Sequence, residues 1–484
     1  MASHKTKLIF FLFLVVTFLI ISPLVIFYAM GYRFSMERGV FVYSGSITIK
    51  PFPREIEVLI DNEPVAKGII NFINYSYHID GLLPGEYLLE VKADQYKSWG
   101  KKASVHSGVS TEFWNVFLIR ENYSKTEYPT SFVNNFFISP DGKNIALVEG
   151  ETSAEIKVLN VKKEKIEYVF PISGYIFSES EKENVEWSPR EGHLSVPLIR
   201  DGKREYFIIN IGNKEVLNLN ETVKRDNIRQ VRWSSAERNA VFYIHEDNLY
   251  KFDLDNINSE VLVAEDISGY DISPDGIYYF DKDSGLIYEK NNRGTNGGKQ
   301  ISSSPIENKD GDDFRMIVYD KNRIAVITQD KDFYLFNKSD DASGKAEKIN
   351  KIKDGISGAH FSNDGKKIVF WNKNEIFVYF VRKWDTQPSR EEGKMINIVH
   401  FSKEISNVSW FRDYEHVIFS VGNSVKIAEL DHRSLRNIYD IFEHKKENSK
   451  VTYTARDDNI FFVDLNNSGN SGLFSVSLEE ENAK

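Results

Sequence analysis

No cysteine occurs among the 484 residues. That excludes disulfides, thiolate metal sites and cysteine nucleophiles together, and it leaves the compartment open, because cytosolic and exported proteins alike can do without the residue. Positive charge is scarce beside negative: 61 Lys and Arg face 71 Asp and Glu, a formal net charge of −10, and no long basic run occurs. Binding to nucleic acid through phosphate neutralisation is therefore disfavoured, as is attraction of the whole surface to an anionic membrane or wall polymer. The signatures of several chemistries are missing too. HExxH, GxSxG, the P-loop and the dinucleotide fingerprint are all absent, and the ten His residues are scattered without a close pair. No cofactor and no metal are expected. Asn308–Asp313, "NKDGDD", shares only composition with a calcium loop, lacking the ligand spacing and the closing Glu.

What the chain does hold is aromatic side chains, 13 % of the total with 24 Tyr and 34 Phe, which favour pleated strands. It also holds one long apolar run. Leu8–Met30 carries no charge, meets the roughly 20 residues needed to cross a bilayer, and exceeds the roughly 7–15 of a signal-peptide core. Pro23 sits mid-span, where membrane helices tolerate it. Lys5, Lys7 and the α-amino group precede the run, and Arg33 and Arg38, offset by Glu37, follow it. This asymmetry predicts a cytoplasmic tail at 1–7, a transmembrane helix at 8–30, and a single-pass cell-membrane protein whose bulk is extracytoplasmic.

From Gly45 the pattern changes to period two. Ile47, Ile49, Val58 and Ile60 alternate with polar residues, Asp61-Asn62 and Pro84-Gly85 supply turns, and "EYLLEV" and "KASVHS" read as further strands. The segments "GSITIKPFPREIEVLIDNEPV" and "LPGEYLLEVKADQYKSW" resemble a PEGA domain over residues 45–118. The resemblance implies a small β-sandwich without catalytic residues, common in surface-exposed proteins. Asp61-Asn62 stands where the family has Asp-Gly, and Gln95 precedes Tyr96 where Gly is common, which predicts a less tight turn there.

A repeat begins after Asn134. Eight segments share an apolar strand, a polar turn and a second strand, from "FFISPDGKNIALV" through "AHFSNDGKKIVFW" to "VTYTARDDNIFFV". The residues before the turns are Ile138, Trp187, Trp233, Ile272, Val318, Phe361, Trp410 and Tyr453, spaced by 49, 46, 39, 46, 43, 49 and 43. A period of about 45 with room for four strands per unit is the signature of a β-propeller. The first, fourth and sixth units resemble the TolB-type (WD40-like) propeller repeat through "SPDG" or its variant "SNDG"; "YDKN" and "FRDY" keep only the polar turn. Eight blades are expected over 131–478, with seven as the alternative. The last unit offers three strands, so 119–130 is read as a linker and closing strand, with the missing strand sought within Lys125–Val133. The fold class is all-β: an N-terminal transmembrane helix, a PEGA-like sandwich, then the propeller.

Asp141, Asp275 and Asp364 recur with the turn and are read as turn formers rather than catalytic groups. His360 and His416 lie in repeat strands and are read as packing or hydrogen-bonding residues. The long insertions Asn291–Asp313, Asn337–Asn350 and Arg382–Met395 read as solvated connections; Trp384, taken as exposed, makes the third the best place for a partner. No catalytic residue is assigned. The architecture points to a non-enzymatic, membrane-anchored binding or scaffold protein of the cell envelope, its propeller engaging a protein, peptide or glycan. The alternative is an envelope carbohydrate-active enzyme with carboxylates converging in the channel mouth. The propeller half of a peptidase is a third reading, opposed by the six residues that follow Leu478.

Overall fold

The computed structural model describes residues 4–65, 69–71, 74–150, 153–177, 185–307, 313–338 and 348–479. The chain divides into two compact units. One comprises Met1–Asn122 with two later stretches, Asp385–Arg390 and Ala428–Ile441; the other comprises the rest.

The first unit begins with α1 (His4–Ala29), which contains Pro23 and is apolar on all sides. It is the one helix among the described residues long and apolar enough to cross a membrane, and none of its apolar stretch is buried. Gly31, at φ 91°, turns the chain into a hairpin of β1 (Tyr32–Ser35) and β2 (Val40–Tyr43).

Eight further strands follow: β3 (Gly45–Phe52), β4 (Glu57–Ile60), β5 (Glu63–Pro64), β6 (Ile69–Asn71), β7 (Ser76–Leu82), β8 (Gly85–Lys92), β9 (Trp99–Val105) and β10 (Ser110–Phe117). They form two four-stranded sheets, in the orders β10-β3-β7-β6 and β5-β4-β8-β9. The alternation read from the sequence puts Ile47, Ile49, Tyr77 and Phe113 of one sheet against Val58, Leu89, Val91 and Trp99 of the other, in one core. Asp61 and Asn62 both take positive φ, 51° and 69°, as the hairpin between β4 and β5 demands. The looser turn expected at Gln95 is not found. Gln95 itself adopts φ 63°, and its turn is closed by Tyr96 N–H donating to Ala93 O and Glu121 N–H donating to Gln95 O. A non-glycine residue there costs roughly 1–2 kcal/mol.

The two later stretches cover the edges of this sandwich. Gln387 accepts from Glu112 N–H at 3.0 Å and donates to Ser110 O at 3.1 Å, while Arg433 donates to Glu112 O, so the open side of β10 is satisfied by side chains. Asn437 donates to Gly100 O, and Tyr439 to Ser98 O, along β9. Beneath them, the wholly buried Lys101 ammonium pairs with Glu429 and donates to Asp431 O and Leu435 O, and Trp99 Nε1–H donates to Glu429 at 3.0 Å. Arg382–Met395 is thus no free connection over its middle, Asp385–Arg390.

Among the described residues eight further four-stranded sheets follow, all within the second unit except that the two outer strands of the seventh, Ser424–Glu429 and Ile438–Glu443, run into the stretch Ala428–Ile441. Their innermost strands are Val133–Ile138, Glu186–Trp187, Arg229–Trp233, Ile267–Ile272, Arg315–Asp320, Gly358–Phe361, Ile405–Trp410 and Val451–Thr454, defining blades 1 to 8. Each blade buries its faces against its neighbours. Shared cores join blades 1 and 2, 2 and 3, 3 and 4, 4 and 5, and 5 and 6. Trp410 Nε1–H donating to His360 O joins 6 to 7, and Phe411 against Tyr453 joins 7 to 8. Phe461, Val463 and Leu473 of blade 8 then pack on Val133, Phe136 and Leu147 of blade 1. The packing returns to its start, and the unit is a β-propeller.

Blade 8 is completed from the other end of the repeat. Its outermost strand, β11 (Lys125–Glu127), pairs antiparallel with Ser471–Ser477, Thr126 opposite Ser475.

The repeated turn acts as a structural device. Ser139 Oγ donates to Asp141 Oδ1, which accepts Lys143 N–H, and Ser139 N–H reaches Asn144 O. Ser362, Asp364, Lys366 and Lys367 repeat the set. Gly142 and Gly365 sit at φ 70° and 64°; Glu191 and Tyr414 hold the same place in degenerate repeats at 60° and 53°. The turn therefore survives where its motif does not.

Replacing Lys101 by Met strands the buried Glu429 carboxylate, and the expected loss of stability is about 3–5 kcal/mol. Lys101→Met combined with Glu429→Leu should recover a substantial part of it. Denaturant unfolding of both variants checks this; an indistinguishable single and double variant contradicts it.

Candidate functional site

In each innermost strand the anchor residue turns toward one neighbouring blade and its predecessor, by the period-two rule, toward the other, as Phe137 and Ile317 do. These predecessors are Phe137, Glu186, Arg232, Asp271, Ile317, His360, Ser409 and Thr452. Seven are half-buried, and His360 is exposed. Five of them, from blades 8, 1, 2, 3 and 4, line one cavity of about 510 Å³ at the channel mouth, with Trp187, Trp233, Asp271 and Lys450 among its walls.

Indole hydrogen bonds fix the wall. Trp187 Nε1–H donates to Phe137 O at 2.9 Å and Trp233 Nε1–H to Glu186 O at 3.2 Å, each reaching one blade back; Trp410 does the same to His360 O at 3.0 Å. The three Trp anchors of the repeat therefore stitch adjacent innermost strands together, which positions the predecessors.

The charges alternate around the mouth. Arg232 is ion-paired with Glu186, and its Nε, though buried, has no hydrogen-bond partner among the described residues. Asp271 accepts from Ile272 N–H and Val318 N–H, both at 2.9 Å. Burial pushes the Asp271 carboxyl up nonetheless, against the opposing pull of Arg232 and those amides. Lys450 Nζ lies 3.6 Å from the Phe137 ring centroid. A cavity with aromatic walls, two carboxylates and two cations can hold a polar ligand in a fixed orientation.

His360 packs as expected, although it is exposed: its imidazole is tilted against Trp371 with ring centroids 5.3 Å apart. The protein groups crowded round the ring, then the charge of Arg315, hold its pKa down to about 4. His416 behaves as expected, buried with Nδ1 2.7 Å from Asp413.

Trp384 is half-buried rather than exposed. Its ring lies 3.5 Å from Lys367 Nζ, which pairs with Glu415 and donates to Tyr414 O at 2.6 Å. Burial pushes Lys367 down and Glu415 up, each opposed by the partner's charge. The indole caps a buried ion pair, away from the mouth cavity it does not line. Residues 308–312, the core of the calcium-like stretch, and 339–347 lie outside the described residues. Among the described residues no group of three or more His, Asp and Glu is arranged to hold a metal ion.

No family model matches the chain, and no curated protein matches it. Solved structures similar to it include the Dos1 propeller (12 % identity, TM-score 0.49, covering 73 % of this chain and 95 % of that one). A eukaryotic initiation factor (13 %, 0.45, 75 % and 93 %) and the propeller domain of Myceliophteria thermophila Cps50 (Swd1) (10 %, 0.42, 73 % and 98 %) are others. The propeller assignment rests on the sheets and their packing described above.

Sequence motifs do not mark the mouth residues, but position within the repeat does. Each sits one position before an anchor, and three consecutive repeats place Glu186, Arg232 and Asp271 there.

The depressed pKa of His360 gives a pH dependence. Above pH 6.5 the imidazole is neutral folded and unfolded; between 6.5 and 4 the unfolded chain takes up the proton first, so stability falls as pH drops. His360→Gln should show a shallower fall of the unfolding temperature over that window than the parent chain. Parallel curves contradict the assignment.

Proposed function

We propose that the chain is a membrane-anchored binding scaffold whose propeller receives a protein, peptide or glycan at the channel mouth. The observation that carries this reading is the mouth cavity itself, where Arg232, Glu186, Asp271 and Lys450 meet the aromatic wall of Phe137, Trp187 and Trp233. The all-apolar α1, with no buried stretch, supports anchoring. The PEGA-like and TolB-like motifs and the charges flanking α1 support an extracytoplasmic, cell-envelope setting. Nothing in this reading requires turnover, and fold by itself selects no ligand.

The second reading, a carbohydrate-active enzyme, is favoured by one fact: Glu186 and Asp271 share the cavity, and Asp271 is pushed toward the protonated state a general acid needs. Cleavage of an envelope glycan by the parent chain, lost in Asp271→Asn, would carry that reading instead.

The binding reading is tested by filling the cavity. Thr452→Trp, in the full chain, should keep the parent's unfolding temperature and weaken capture of the envelope partner about tenfold or more, a cost of about 1.4 kcal/mol. Undiminished capture by the folded variant would overturn the placement of the site.

A further inference from the structure

The β1–β2 hairpin has a two-faced construction that the sandwich does not need. Its register sets Tyr32 opposite Tyr43 and Phe34 opposite Phe41, so four aromatic rings share one face. The cross-strand pairs touch, with ring centroids 5.2 Å and 5.3 Å apart. In a strand embedded in a core such rings are covered. Here Phe34, Phe41 and Tyr43 are 46 %, 41 % and 45 % exposed, and Met36 at the turn is 88 % exposed. Isolated exposed apolar residues need no explanation, but a contiguous aromatic face does.

The same face is continuous with the end of α1. Phe27 packs against both Tyr32 and Phe41, with centroids 5.5 Å and 5.7 Å away. Polar bonds pin the hairpin on its other sides. Arg33 donates to Tyr28 O and lies over the Tyr28 ring, Ser44 donates to Gly31 O, and Ser107 donates to Tyr43 O. The aromatic face is therefore held beside the last turn of α1, with Arg38 exposed at the turn. Aromatic rings with nearby cations at the end of an apolar helix match the chemistry of the boundary between acyl chains and headgroups.

We infer that the β1–β2 hairpin is an interfacial anchor, its aromatic face seated in the lipid headgroup region beside α1. This rests on the reading of α1 as a membrane span. The hairpin then fixes the tilt and rotation of the chain where it leaves the bilayer, a task that a flexible linker cannot perform.

The absence of native cysteine makes the test direct, since every introduced thiol is unique. The full chain is reconstituted in phosphatidylcholine–phosphatidylglycerol vesicles with one nitroxide label at Phe34→Cys, Met36→Cys or Phe41→Cys. Leu19→Cys reports the middle of α1 and Asn213→Cys reports water. Met36 guards against misfolding, because its exposed side chain leaves packing undisturbed. Collision with oxygen and with a water-soluble nickel chelate gives depth. The inference expects the hairpin labels to lie between the two references, more shielded from nickel than Asn213. Hairpin labels as accessible as Asn213, with Leu19 immersed, overturn the inference and leave the span intact. Leu19 labels accessible to nickel overturn both.

Discussion

The propeller depends on one pairing, that of β11 with Ser471–Ser477. A four-stranded sheet with two apolar faces is stable only with a neighbour on each side, and in a ring that condition is met for every blade or for none. The contacts of blade 8 with blade 1 close the circuit, but blade 8 is itself complete only because a strand from before the first blade is hydrogen-bonded to its outer edge. The two chain ends of the ring are thereby tied by backbone bonds, and no blade is left with an unpaired terminal strand.

From that closure the mouth follows. A closed ring brings the innermost strands of its blades round one axis, and the interblade indole bonds of Trp187, Trp233 and Trp410 hold neighbouring strands in place. Glu186, Arg232 and Asp271 come from three different blades, distant in sequence and adjacent in space. The protein invests its buried charges differently elsewhere. Lys101 with Glu429 and Lys367 with Glu415 are enclosed and fully engaged, which suits structure, whereas the mouth charges remain half-open to solvent and one Arg232 nitrogen is unused.

The architecture was largely legible in the sequence because it is periodic. Anchors such as Trp187 and Trp410 repeat the same physical task, so spacing reveals them, and the alternation from Ile47 to Ile60 does the same for the sandwich. The site was less legible because it lies where repeats differ: Glu186, Arg232 and Asp271 carry no motif, only a shared position. Trp384 misled for a related reason. A Trp in a polar insertion reads as exposed, yet here it shields an ammonium that sequence places seventeen positions earlier, at Lys367. The hairpin after α1 is hard to read from sequence because its strands are short and its aromatics do not repeat.

Closure of the ring is open to one direct measurement. In this cysteine-free chain, Thr126→Cys and Ser475→Cys stand directly opposite across the closing pair, a placement whose typical Cα separation of about 4.5–5.5 Å falls within disulfide range. Mild oxidation should link them rapidly and raise the unfolding temperature, while Thr126→Cys with Val169→Cys, on the outer strand of blade 1, should stay reduced. Failure of the first pair to link while the second does so would contradict the closed propeller described here.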